Sequence, residues 1–149
     1  MLDKKTSDID NLINNITPDQ IDSFYQENGK HMASGDKAFY YFMKDTIEAK
    51  NILLKDIYTQ ADVTESYGEK IIRMEKHTKN RDLILRLCLA GHFSLIETNR
   101  ALKLYGMSPL YSKNKRDALI IVLINNRVFR IHDVNDNLQK HNMNPLTVQ

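Results

Sequence analysis

The sequence predicts an all-α fold, and three observations carry that expectation. Apolar residues recur at three- and four-residue spacing through successive short segments, the period of one helix face. Residues that start or stop helices punctuate those segments: Thr17-Pro18, Thr64 and Ser94 at starts, Gly91 and Gly106 at ends. A long segment also occurs twice. RDLILRLCLAGHFSLIETNRALKLYGMSPL (81–110) recurs as RDALIIVLINNRVFRIHDVNDNLQKHNMNPL (116–146). With one inserted residue near Arg127, the pairs Arg81/Arg116, Asp82/Asp117, Phe93/Phe129, Asn99/Asn135, Leu102/Leu138, Met107/Met143, Pro109/Pro145 and Leu110/Leu146 are identical. An offset of 35 to 36 residues is that of a helical hairpin, whose units stack to hide their apolar sides.

A length of 149 residues suits one domain, or one with a small extension. The single cysteine, Cys88, excludes an internal disulfide and fits a reducing compartment. No run approaches 18 consecutive apolar residues, and residues 1–15 are polar and acidic. A membrane span and a secretory signal are therefore not expected, and a cytoplasmic location is. The net charge of +2 is unevenly spread. Residues 1–35 carry three Lys/Arg against six Asp/Glu, 36–110 twelve against ten, and 111–149 six against three. The densest basic stretch is 70–86, with Lys70, Arg73, Lys76, Lys79, Arg81 and Arg86 against Glu75 and Asp82. Such a patch suits phosphate binding or a solvated helix junction.

In chain order, Ile9, Leu12, Ile13 and Ile16 give the N-terminal segment a weak amphipathic piece. Thr17 as N-cap, Pro18 at the first helical position and Gln20 three residues after the cap predict a short helix carrying Ile21, Phe24 and Tyr25. Ala33-Ser34-Gly35-Asp36 reads as a linker, which sets three regions: an N-terminal extension with one helix (1–35), a main domain (36–110) and an appended hairpin (111–149). The main domain opens with a helix over 37–49 whose stripe is Phe39, Tyr40, Phe42, Met43 and Ile47. In 52–74, Ile52, Leu53, Ile57 and Ala61 line a first short helix. Val63 sits in a tight turn, and Thr64 caps a second helix carrying Tyr67, Ile71, Ile72 and Met74. A helix over 81–90 ends at Gly91, and one over 95–104 follows the Ser94 cap and closes at Gly106. The second copy repeats this pair. Its run 118–124 is β-branched, but the preceding Arg-Asp and the repeat partner make it helical. Each Arg-Asp pair is expected to place its aspartate at a helix start and its arginine across to the neighbouring unit.

The run IYTQADVTESY, with KII, the basic loop and LILRLCLAGHFSL after it, resembles the lambda-repressor-like, or Xre-type, helix-turn-helix domain over about half of the chain, 39–104. The resemblance implies a five-helix domain whose third helix, 64–73, enters a DNA major groove. The whole chain looks like small cytoplasmic proteins of Gram-positive bacteria that append helices to such a domain. Ile57, Ala61, Val63, Tyr67, Ile71, Ile84, Leu87 and Phe93 match the family's core positions. Other positions depart from the pattern: Leu54 where a polar phosphate anchor is usual, Tyr58 where alanine is, and Asp62 for the turn glycine. Glu65 and Glu69 lie on the groove-facing helix, and Gly68 sits in its middle.

Residues for chemistry are not gathered in the sequence. His31, His77, His92, His132 and His141 never fall at the i, i+4 spacing of a helical metal pair, and the five glycines form no phosphate cradle. Ser66 has no nearby base, so neither a catalytic site, a metal nor a cofactor is expected. Two functions follow. The first is a DNA-binding transcription regulator, working as a homodimer on a palindromic site. Thr64, Ser66, Lys70 and Arg73 would face the groove, and Lys76, Lys79 and Arg81 would contact phosphates. The second is a protein-interaction adaptor on a helix-turn-helix scaffold that no longer binds DNA. Glu65, Glu69, Leu54 and the extra hairpin motivate it.

Overall fold

Residues 6–28 and 37–148 are described by the computed structural model, and among them all regular structure is helical. Helices α1 (Thr6–Ile13) and α2 (Ile21–Asn28) are followed by α3 (Ala38–Ala49), α4 (Leu54–Ala61), α5 (Glu65–Ile72), α6 (Arg81–Ala90), α7 (Leu95–Leu104), α8 (Lys115–Asn125) and α9 (Ile131–Lys140). None is long and apolar enough to cross a membrane. The N-terminal region thus holds two helices where one is expected. Helix α2 is entered through a single 3-10 turn, Pro18–Gln20, whose Gln20 Oε1 accepts from the Thr17 N–H at 2.9 Å. Ile9 and Phe24 are buried, whereas Leu12, Ile13 and Tyr25 stay exposed. The expected linker at 33–36 and His31 lie outside the described residues.

Helix α6 is the centre of the core. Every residue from Leu83 to Ala90 is buried, as a helix apolar around its circumference requires. Phe39, Met43 and Ile47 of α3, Ile57, Tyr58 and Ala61 of α4, Ile71 and Ile72 of α5, and Ala101 and Leu102 of α7 complete that core. Two sequence expectations are corrected in detail. Asn51 adopts φ 58° and redirects the chain, so α4 begins at Leu54 and Leu53 is its exposed N-cap rather than a core residue. Met74 lies beyond α5 at φ 62°, because the Glu75 and Lys76 N–H groups fold back onto the Lys70 carbonyl. Gly91 closes α6 as its C-cap, as expected; its φ is an ordinary −83°, and His92 takes the left-handed position at 56°. Glycine serves there to make room for the Phe93 ring, which a Cβ would meet at 2.7 Å.

The repeat has a direct structural counterpart. Arg81 donates to both carboxylate oxygens of Asp117 at 2.8 and 2.9 Å, and Arg116 to both of Asp82 at 2.9 and 3.0 Å. Arg81 also donates to the Ser108 and Pro109 carbonyls, and Arg116 to those of Asn144 and Pro145. Asn99 accepts from the Leu110 N–H and Asn135 from the Leu146 N–H, each at 2.8 Å. The Tyr111 N–H reaches Asp117, and the Thr147 N–H reaches Asp82. Left-handed residues recur too, at His92 and Arg127 and again at Gly106 and Asn142. Translation of one unit onto the next would send each arginine in a single direction. Here the bridges are reciprocal, and α6 packs on α9 as α7 packs on α8. The two hairpins therefore embrace about an approximate two-fold instead of forming the start of a solenoid stack.

One position breaks that symmetry at a cost. Thr98 is 1% exposed and its hydroxyl has no hydrogen-bond partner among the described residues, while its repeat counterpart Val134 fills the same place with carbon. A buried hydroxyl without a partner costs roughly 1–3 kcal/mol. Thr98→Val, with the same shape, is expected to raise stability by about 1 kcal/mol. A denaturant titration reads this directly, and a lower midpoint would show that the hydroxyl is satisfied.

Candidate nucleic-acid interface

The α4–α5 unit is shaped by a large and a small residue that complement each other. Tyr58 of α4 is 4% exposed, and its ring lies against α5 at Gly68. A Cβ on residue 68 would stand 2.5 and 2.8 Å from the ring's Cδ1 and Cε1. The glycine that weakens α5 as a helix thus makes room for the tyrosine. Burial, with Glu69 adding to it, pushes the Tyr58 hydroxyl up to about 12, so it remains neutral. Between the helices, Asp62 takes the left-handed conformation at φ 59°, ψ 48°, and Val63 follows half-buried. Thr64 then caps α5 by accepting from the Tyr67 N–H at 3.2 Å.

Gly68, Ile71 and Ile72 turn α5 inward, which leaves Ser66, Lys70 and Arg73 as an exposed stripe at i, i+4 and i+7. Thr64 and Glu65 are exposed beside them. Arg73 pairs with Glu69 at 3.1 Å and lies 5.9 Å from the Tyr40 ring centroid. Lys37 approaches the same ring at 6.0 Å and donates to the Arg73 carbonyl at 3.1 Å, where it complements the negative end of α5. The following loop exposes Lys76 and Lys79, with Lys76 5.6 Å from the Tyr67 ring centroid. Tyr105 fixes the base of that loop. Its ring stacks on His77 at 4.6 Å, and its hydroxyl accepts from the Thr78 N–H at 2.9 Å.

The chain matches no family model, and no curated protein or solved structure matches it. Of the seven residues the sequence singles out, Thr64, Ser66, Lys70 and Arg73 share one short helix and its caps, and Lys76 and Lys79 share the loop that leaves it. Arg81 stands apart, because Asp117 and two carbonyls engage its guanidinium between the hairpins. Arg86, part of the same basic stretch, is 6% exposed and donates to three main-chain carbonyls. Lys70, Arg73, Lys76, Lys79 and Glu75 are exposed between residues 70 and 79, with Arg73 paired to Glu69, and Lys37, the N-cap of α3, adjoins them through the Arg73 carbonyl. Lys37, Tyr40 and Tyr105 are the participants that sequence reasoning misses. Their roles arise from contacts between helices, which no local pattern encodes.

Proposed function

We propose that the chain is a double-stranded DNA-binding protein of the helix-turn-helix kind, acting in transcription regulation, with α5 as the element that enters the major groove. The observation that carries this reading is the outward stripe Ser66, Lys70 and Arg73 on a capped helix whose other side is locked to α4. Residues of this kind donate to base edges and phosphates, and the loop lysines Lys76 and Lys79 supply the sequence-independent charge. Lys37 adds a phosphate contact beside the α5 C-terminus. Glu69 is matched by Arg73, and the exposed Glu65 on this side of the helix is a candidate acceptor for cytosine. A homodimer would present two such helices about one helical turn of DNA apart, roughly 34 Å.

The test is electrophoretic mobility over a salt series. Lys76→Glu with Lys79→Glu is expected to weaken binding to every sequence alike and to lower the salt slope by about two phosphates' worth. Ser66→Ala or Lys70→Ala should instead change which sequences are preferred. Absence of binding to a random duplex library at low salt removes this reading.

A second reading, an adaptor for a protein partner, draws on α8. That helix is apolar on all sides, yet Val122 is 54% exposed, and on α7 Ile96 is 82% exposed. Recovery of one stoichiometric protein partner, with DNA left unbound, would favour it.

A further inference from the structure

We propose that the C-terminal segment 145–148 regulates the α5 surface by bracing the α4–α5 turn through Arg86; the link to DNA rests on the reading above, while the bracing does not. One guanidinium joins the two elements. Arg86 donates from Nη1 to the Ala61 carbonyl at 2.9 Å, from Nη2 to the Leu146 carbonyl at 2.7 Å and from Nε to the Thr147 carbonyl at 3.1 Å. Ala61 is the last residue of α4, and the next residue is the left-handed Asp62 that swings the chain into α5. A non-glycine residue in that conformation persists only where its surroundings hold it. The guanidinium is planar and rigid, so the tail carbonyls and the turn carbonyl keep a fixed relation while all three bonds stand.

The segment is held by contacts separate from Arg86. Leu146 buries its side chain in the core, and Thr147 gives its N–H to Asp82 at 3.1 Å, with its hydroxyl 3.3 Å from the same carboxylate. The Thr147 side chain itself is exposed. Beside the guanidinium lies a cavity of about 340 Å³ lined also by Thr59, Gln60, Asp62, Arg130 and His132. This cavity gives Arg86 room to move, and Asp62, whose charge already acts on the guanidinium, lines the same space. When the tail leaves, Arg86 loses two of its three acceptors and turns toward Asp62, drawing on the residue that sets the α5 direction. Arg86 is a positioning residue in this scheme, and its repeat counterpart Ile121 has no such role.

The experiment is amide hydrogen exchange on the full chain, with DNA affinity measured in parallel. Leu146→Ala loosens the tail without touching Arg86, Asp62 or α5. It is expected to speed exchange of the Asp62 and Val63 amides, which bond to the Thr59 and Tyr58 carbonyls, at least tenfold beyond any change in the slowest α6 amides. Arg86→Met should do the same to the turn and also to the tail amides. The double variant should add little to either, and Arg86→Lys should restore part of the protection. If Leu146→Ala leaves the turn amides moving only with the α6 reference, the tail does not brace the turn and the proposal is overturned. If the turn responds but the unmodified chain binds no DNA, the bracing stands and the DNA reading alone is lost.

Discussion

Asp117→Ala is expected to destabilise the chain by about 3 kcal/mol, roughly 10 °C in melting temperature. The carboxylate side chain is 8% exposed and accepts from both arms of Arg81 and from the Tyr111 N–H. Its removal strands a guanidinium between the hairpins with only the Ser108 and Pro109 carbonyls for company. Breaking a buried pair by deleting one partner costs roughly 3–5 kcal/mol, and the 27% exposure of Arg81 puts this case at the low end. Arg81→Ala in the same background should then cost far less than it does alone, so the double-mutant cycle shows strong coupling. Glu69→Ala, which removes the exposed pair with Arg73, is the contrast and should cost no more than about 0.5 kcal/mol. Equal losses at the two sites would mean that the reciprocal bridges do not join the hairpins.

The same bridges set a pH dependence. Burial alone would raise the Asp82 and Asp117 carboxyls, but hydrogen bonds from Arg116 and Thr147 at one, and from Arg81 and Tyr111 at the other, outweigh it and hold both low. With folded values below the ordinary 3.8, the unfolded chain binds more protons in that range. The stabilisation is complete above 3.8 and is lost as pH falls through the depressed values. Acid unfolding should therefore be steeper for the natural chain than for an Asp82→Asn, Asp117→Asn variant.

Much of this architecture is legible in the residues. The repeated Arg-Asp, Asn and Pro-Leu positions predict two related hairpins with arginines crossing between them, because each is a polar group at a fixed place in a helical unit. Their reciprocity is not legible, since translation and two-fold pairing of two units leave the same sequence trace. Helix ends at Thr64, Ser94 and Gly106 are read from local capping chemistry, which does not depend on tertiary context. Gly91 marks the end of α6 as read, but that it serves by making room for the Phe93 ring is not legible, because a glycine for space and a glycine for φ look alike in sequence. Arg81 and Arg86 count as surface charge by composition, yet both lie between elements distant in the chain. Four of the six cations in the basic stretch, Lys70, Arg73, Lys76 and Lys79, are exposed.

Gly68→Ala should be destabilising in the natural chain and stabilising once Tyr58 is alanine. In a solvated helix the alanine gains about 1 kcal/mol over glycine. At residue 68 its methyl would meet the Tyr58 ring at 2.5 Å and Val63 Cγ2 at 3.2 Å. Overpacking of that order costs about 1–3 kcal/mol and reverses the sign. Tyr58→Ala alone removes a ring that is 4% exposed and should cost roughly 3–5 kcal/mol. In that background the methyl enters the space the ring has left, and the helix keeps its propensity gain, so the double variant should recover about 1–2 kcal/mol. Urea denaturation of the four chains measures every corner of the cycle. Stabilisation by Gly68→Ala with Tyr58 intact would mean that the ring does not set the distance between α4 and α5. Because that distance fixes how far Ser66, Lys70 and Arg73 stand out from the body, the proposed DNA-binding function carries a further expected result: Gly68→Ala weakens binding while leaving its salt slope unchanged, since Lys76 and Lys79 on the loop are untouched and only the seat of the helix has moved.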